Sequence, residues 1–192
     1  HDLVNHIGVV RELLNEKKTE EAKEYIDTIW NIQDVFDLKI HTGDGFLDII
    51  VNYYLYLAVK ENIEFVVLGK LTEKMPLEMF DITTLMGNIL QNAFEAAIKA
   101  DVPRIRVELV EHKEEIFIVV SNSTAKRINT KTDFFMTSKN DKENHGFGLK
   151  NIVATVEKYR GECYMESIVE NREVLFQISI AIPTAKAEEK KE

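Results

Sequence analysis

Cysteine is almost absent. Cys163 stands alone among 192 residues, so the chain forms no internal disulfide and holds no cysteine-based metal cluster. A single thiol of this kind suits a reducing cytoplasm and reads as a small core residue. No apolar run approaches the about 18 to 20 residues that cross a bilayer, and no signal-peptide pattern opens the chain. The sequence begins with histidine and is therefore read as a fragment, in which any membrane attachment would come through a missing upstream segment. Positive charge is short as well. Lys and Arg number 24 against 33 Asp and Glu, a formal charge of −9. That balance argues against nucleic acid as a partner and obliges an anionic ligand to find a locally basic pocket. Internal repeats and low-complexity tracts are also missing. What is present, 45% hydrophobic and 30% charged, is enough for one full core and a smaller appendage.

The appendage comes first. Leu3, Ile7, Val10 and Leu14 recur at alternating spacings of four and three, the mark of a helix with one narrow apolar stripe. Ala22, Tyr25, Ile26, Ile29, Trp30 and Phe36 repeat the pattern after a polar break, which predicts an antiparallel helical hairpin. Two helices bury too little alone, so a homodimer forming a four-helix bundle is expected for residues 1–41. The segment HTGDG carries two glycines and no periodicity and reads as a hinge. Beyond it the pattern predicts a helix over 46–61, a strand over 64–68, a helix over 81–100 and strands over 104–110 and 115–121. A polar stretch over 122–145 follows, then a helix over 146–159 and strands over 162–169 and 174–182. The tail, residues 185–192, is charged and expected to be disordered. Strands clustered as hairpins with helices in blocks indicate an α+β fold, a two-layer sandwich with helices on one face of a mixed sheet, over 46–184.

Three segments carry chemistry. In LMGNILQNAFEAA, Asn88 and Asn92 lie four apart on one face of an otherwise apolar helix. Asparagine is a poor helix residue, and its buried amide must be satisfied by something, either a neighbouring loop or a ligand-bound Mg²⁺. In HGFGLKNI, Gly146 and Gly148 precede a helix, where backbone NH groups can approach phosphate oxygens closely; on its own this is equally an ordinary turn. The segment just before it carries Lys126, Arg127, Lys131, Lys139 and Lys142 against Asp133 and Asp141, a local positive excess suited to a lid over a polyanion or simply to a solvated loop. Third, the strand IFIVV ends in Ser121 and Asn122, placed either to form a turn or to read the edge of a ligand.

In this order the segments resemble the nucleotide-binding domain shared by histidine kinases, type II topoisomerases, the ninety-kilodalton heat-shock chaperones and mismatch-repair ATPases, the GHKL superfamily with its Bergerat fold. The resemblance spans most of Phe46 to Pro183. It implies ATP and Mg²⁺ as cofactors, with Asn92 as the metal ligand and Asn88 beside it. Asn122 takes the place of the aspartate that accepts from the adenine amino group, in S-N-S-T-A where the superfamily has D-x-G-x-G; an amide oxygen can make the same bond. Phe134 and Phe135 resemble the aromatic segment before the lid, Ser138 and Lys139 its phosphate-proximal end, and Gly146, Gly148 and Leu149 the glycine box. Asparagine at the adenine position is a habit of the peptide-pheromone-sensing kinases of quorum-sensing systems. Superfamily members that hydrolyse ATP place a glutamate where this chain has Asn88, which cannot accept a proton from water, so the resemblance implies phosphoryl transfer. Glu95, three residues beyond Asn92, has no evident aim at water.

The same branch implies His1 as the phosphorylated residue, Asp2 as its acid/base helper and Asn5, one turn on, as the group that orients water for dephosphorylation of a partner. His6 is the rival acceptor. The implied activity is that of the cytoplasmic portion of a bacterial-type sensor histidine kinase, passing its phosphoryl group to an aspartate on a response-regulator receiver domain. The altered adenine box keeps open a dimeric phosphotransfer or scaffold protein with a degenerate ATP-binding domain. A conformational ATPase is opposed by Asn88.

Overall fold

Two helices fill the N-terminal part of the computed structural model, which describes residues 2–30, 40–125, 134–135, 147–170 and 173–184. Residues 1–38 and 39–192 form two compact units. In the first, α1 (Asp2–Asn15) and α2 (Thr19–Trp30) are joined by a turn in which Lys17 takes a φ of 61°. The chain doubles back on itself, and His6 Nδ1 meets the Tyr25 hydroxyl at 3.0 Å. The covered side of α1 carries His6, Val10 and Leu13, and that of α2 carries Ala22, Tyr25 and Ile26. Of the predicted stripe, Val10 is partly covered, whereas Ile7 and Leu14 stay 58% and 52% exposed. The expected Phe36 lies outside the described residues.

The second unit begins with a joint. Asn52, on helix α3 (Gly45–Lys60), bonds the backbone of Ile40 twice: its Oδ1 accepts from the Ile40 NH at 2.8 Å and its Nδ2 donates to the Ile40 carbonyl at 2.9 Å. Asp48 accepts from both the NH and the hydroxyl of Thr42 at 2.6 Å. Asp44 caps α3 by accepting from the NH groups of Phe46 and Leu47, and its second oxygen accepts from Met75 NH at 3.1 Å. Gly43 has a φ of +97°, and a Cβ there would sit 2.0 Å from the Leu71 carbonyl oxygen. The segment expected as a hinge is thus tied down by carboxylates and amides along its length.

Strands β1 (Glu64–Leu68), β2 (Arg104–His112), β3 (Glu115–Ser123), β4 (Phe134–Phe135), β5 (Glu162–Glu170) and β6 (Glu173–Pro183) form one sheet in the order β1-β2-β3-β6-β5-β4. β1 is parallel to β2 and the other pairs are antiparallel. Period-two alternation puts Ile105, Val107 and Leu109, then Ile116, Ile118 and Val120, then Ile178, Ile180 and Ile182 on one face, all buried. Each such side chain contributes about 2 kcal/mol on burial. The helices α3, α4 (Met79–Ala97) and α5 (Phe147–Lys158) cover that face, with α4 between its two neighbours and resting on β2 and β3, and α5 reaching β5. The architecture is the expected two-layer α+β sandwich.

Several element boundaries differ from the sequence reading by one to three residues, and one short strand is added. α4 stops at Ala97 rather than Ala100, because residues 98–100 tighten into turns and Pro103 follows. β3 continues through Asn122 and Ser123, where the Ser123 hydroxyl accepts from Arg104 NH at 2.9 Å and extends the ladder. Two residues of the polar stretch, Phe134 and Phe135, pair with Met165 and Tyr164 as a short edge strand.

α4 and α5 run antiparallel and are pinned at one end. The buried Asp81, in the first turn of α4, accepts through Oδ2 from Lys158 Nζ at 2.6 Å and from the Tyr159 hydroxyl at 2.5 Å. The Tyr159 oxygen in turn accepts from Glu78 NH at 3.0 Å. The Lys158 ammonium, then the Tyr159 hydroxyl, hold the Asp81 carboxyl below the usual carboxylate range.

Two outcomes are expected. Gly43→Ala should lower the urea midpoint by the equivalent of about 2 kcal/mol or more, since both the backbone conformation and the Leu71 carbonyl oppose a side chain. Asp81→Asn should lower the melting temperature at neutral pH. A carboxyl held low in the folded state stabilises above its unfolded value and loses that effect as pH falls, so the gap between variant and unsubstituted chain should close below about pH 3.9. A gap that widens on acidification would refute the assignment.

Candidate functional site

Helix α4 has two characters. Ile82, Leu85, Met86, Ile89, Leu90, Ala93 and Ala97 are buried, and between them and solvent runs a polar flank bearing Asn88 and Asn92. Asn88 bends its Nδ2 back to donate to the Thr84 carbonyl at 2.6 Å, which leaves Oδ1 as its outward group. That oxygen lies 3.4 Å from where a Cβ on Gly148 would stand, and Asn92 Nδ2 and Oδ1 lie 3.5 and 3.6 Å from the same point. The first turn of α5 is thereby laid directly over both amides. Asn92 Nδ2 is buried and has no hydrogen-bond partner, a costly arrangement in a finished core and a usual one where a ligand completes the bonding. A side chain at 148 would fill the space over the two amides.

A second network supports α4 from the α3 side. The Tyr54 hydroxyl lies 3.0 Å from Gln91 Oε1 and 3.2 Å from the Gly87 carbonyl, and Gln91 Nε2 donates to Glu95 Oε1 at 2.6 Å. Burial pushes the Tyr54 hydroxyl up to about 12, so it stays a donor at neutral pH. Glu95 is therefore held along its own helix by Gln91.

Asn122 is buried near the end of β3, between Ile105 of β2 and Phe176 of β6 in the ladder. Its Nδ2 donates to the Ser123 carbonyl at 2.9 Å, which commits the nitrogen and leaves Oδ1 as the acceptor end of the amide. Leu149, next to Gly148, packs against the core and fixes the start of α5.

Of the residues expected at the site, Asn88, Asn92 and Gly148 are brought together, and Asn122 and Leu149 occupy defined places on β3 and α5. His1, Ser138, Lys139 and Gly146 lie outside the described residues. Asp2 and Asn5 fall in the first turns of α1. Sequence reasoning missed Tyr54, Gln91, Asp81, Lys158 and Tyr159. Gln91 and Glu95 show the same i, i+4 spacing as the asparagines and could have been read as a helical pair, whereas the Tyr54 and Tyr159 contacts span 37 and 78 residues and leave no local signal.

A family model described as the GHKL domain matches residues 77–183, a span that holds α4, α5 and strands β2 to β6. The chain belongs to the GHKL family. Two nucleotide-free structures of the catalytic domain of the histidine kinase ThkA resemble this GHKL chain, with TM-scores of 0.51 and 0.53 at 18% and 20% identity. Each covers 72% of this chain, and the match takes in 91% and 90% of theirs. A mycobacterial sensor histidine kinase, MprB, is similar at a TM-score of 0.46 and 15% identity, over 70% of this chain and 95% of its own. At such identities the likeness to the two ThkA structures is one of fold. No curated protein matches the chain.

Asn92 brings to α4 a polar group that finds no partner among the described residues. Asn92→Leu should hold or raise the melting temperature of the ligand-free chain, by up to about 1 kcal/mol of stability, because it removes an unpartnered amide and improves helix propensity. A fall of several degrees in a thermal melt would mean that the Asn92 amide is structurally satisfied.

Proposed function

We propose that this GHKL chain is the core of a sensor histidine kinase that binds ATP with Mg²⁺, phosphorylates its own histidine and passes the phosphoryl group to an aspartate on a response-regulator receiver domain. The observation that carries the reading is the apposition of Gly148 to Asn88 and Asn92, with Asn92 Nδ2 buried and unpartnered. Among the described residues no group of three or more His, Cys, Asp and Glu gathers to hold a metal. An ion that takes few protein ligands and completes its shell with phosphate oxygens and water suits such a place, and Mg²⁺ is of that kind. Asn92 Oδ1, with Asn88 Oδ1 beside it, would hold it, and the unpartnered Asn92 Nδ2 would donate to a phosphate oxygen. Bound there, Mg²⁺ supplies charge neutralisation for the triphosphate.

The chain's own residues favour transfer over hydrolysis. Asn88 is an amide whose nitrogen is already engaged by Thr84, so it has no basic atom with which to take a proton from water. Glu95, the nearest carboxylate along the helix, is bonded to Gln91. Asn122 offers an amide oxygen to an adenine amino group where the superfamily offers a carboxylate, and Ser138, Lys139, Gly146 and Leu149 would complete the phosphate and lid contacts. The buried seat of Asn122 on β3 supports a role in reading the base.

His1 is the proposed acceptor, with Asp2 as its acid/base helper and Asn5 acting in dephosphorylation of the partner. The rival His6 is already engaged through Nδ1 by the Tyr25 hydroxyl, which supports His1. A homodimer through the first unit would cover Ile7 and Leu14, which a single chain leaves exposed. The protein is then the cytoplasmic portion of a membrane receptor, in the peptide-pheromone branch to which an asparagine at the adenine position belongs.

Titration of the chain with ADP and ATP, with and without Mg²⁺, tests the nucleotide half: Mg²⁺-dependent binding that Asn92→Leu abolishes is expected. Absence of any nucleotide binding would leave a phosphotransfer or scaffold protein instead. For the acceptor, a chain extended upstream of His1 should incorporate acid-labile label from radiolabelled ATP and lose it in His1→Gln. Label that persists in that variant would move the acceptor elsewhere, and steady phosphate release without labelling would favour an ATPase.

A further inference from the structure

Besides the approach of Gly148 to the amides, α5 and α4 are joined by a polar contact at the far end of both helices. Asp81 stands eleven residues before Asn92 (92 − 81), and Gly148 stands ten before Lys158 (158 − 148). At 1.5 Å per residue the two spans are about 16 and 15 Å, so in an antiparallel pair the clamp at one end and the glycine contact at the other are in step. Between them Ile152, Val153 and Val156 of α5 join the same core as Leu85, Met86 and Ile89 of α4, beside the buried Thr155. Such contacts resist separation but set axial position weakly, since neighbouring ridges offer similar grooves one step along. Directional bonds set it firmly. A single carboxylate oxygen, Asp81 Oδ2, receives both Lys158 and Tyr159, and the Tyr159 oxygen receives Glu78 NH. A helix slipping by one residue would move by about 1.5 Å and break all three bonds. The same slip would carry Gly148 off the amides, whose atoms now lie 3.4 to 3.6 Å from where a Cβ at that position would stand.

We propose that Asp81, acting through Tyr159 and Lys158, is a positioning residue for the nucleotide site: it fixes the axial register of α5 on α4 and thereby the closeness of Gly148 to Asn88 and Asn92. This inference rests on the proposed binding of Mg-nucleotide at those amides. Asp81 does not touch the ligand. Its effect is confined to the end of the site where the two amides would meet the metal and phosphates, and it leaves Asn122, seated on β3, untouched. Loss of the clamp therefore weakens the metal-dependent part of binding and spares the part that rests on the base.

The test is calorimetric titration of the whole chain with ADP, once in Mg²⁺ and once in EDTA, for the unsubstituted chain, Asp81→Asn, Tyr159→Phe and Lys158→Gln. A destabilised control, Leu109→Ala in the β2 core, separates positioning from general loosening. The ratio of the two affinities is the readout. It should fall about tenfold in Asp81→Asn and Tyr159→Phe, the scale of a lost charge-assisted hydrogen bond, and less in the half-exposed Lys158→Gln. In EDTA the affinities should stay within about twofold, and the control should lose melting temperature while keeping its ratio. If the clamp variants melt lower but keep the unsubstituted ratio, the clamp is structural only and the inference is overturned while the nucleotide reading stands. If the unsubstituted chain binds no ADP in either buffer, the nucleotide reading fails and this inference with it. Should Asp81→Asn not fold, the Lys158→Gln and Tyr159→Phe ratios decide the matter in the same way.

Discussion

The packing of α4 on β2 and β3 buries one continuous side of the helix, from Ile82 through Leu85, Met86, Ile89 and Ala93 to Ala97, and a helix so seated cannot turn about its axis without exposing that side. The direction of every other residue on α4 follows from it. Asn88 and Asn92 must point along the flank that α5 covers, and Gln91 must point toward Tyr54 of α3. The hydrophobic contact is not specific in itself, but it converts a sequence spacing of four into a pair of amides held on a rigid element, the arrangement in which a binding group is placed most accurately.

Against that seat the polar features divide into two kinds. The Asp81 cluster and the Asp44 and Asp48 joint are complete: each carboxylate oxygen that accepts has its donors, and they hold secondary structure elements together. Asn92 is incomplete, with a buried nitrogen and no partner. Among the described residues Arg104 Nε and Ser167 Oγ are also buried without a partner, but of the three only the Asn92 amide lies under the first turn of α5. Asn88 stands between the two kinds, its nitrogen spent on its own helix and its oxygen turned to the glycine.

Much of this was legible in the chain itself. The strands follow from Ile, Val and Leu alternating with polar residues, and β1 occupies the predicted 64–68 because β-branched and aromatic residues there have no helical period. The asparagine pair could be read because polar residues at helical spacing inside an apolar helix are conspicuous at the level of a dozen residues. What could not be read joins residues far apart in the chain. Tyr54 looked like one more apolar residue of α3, and Asp81 looked like an ordinary acidic start to a helix. Only folding brings the first to Gln91 and the second to Tyr159. The edge strand β4 is too short to show a period, and the end of β3 was hidden because Ser123 continues the ladder with its side chain. In HTGDG, composition suggested looseness; the bonds from Asp44, Asp48 and Asn52 lie mostly in residues that follow it.

The pair of hydrogen bonds between Asn52 and Ile40 has a mechanical side. An amide that both accepts from and donates to one residue's backbone imitates a neighbouring strand, and it does so from the middle of α3. A tug on the polypeptide at Ile40 is therefore taken first by that one side chain, and then by the bonds of Thr42 to Asp48.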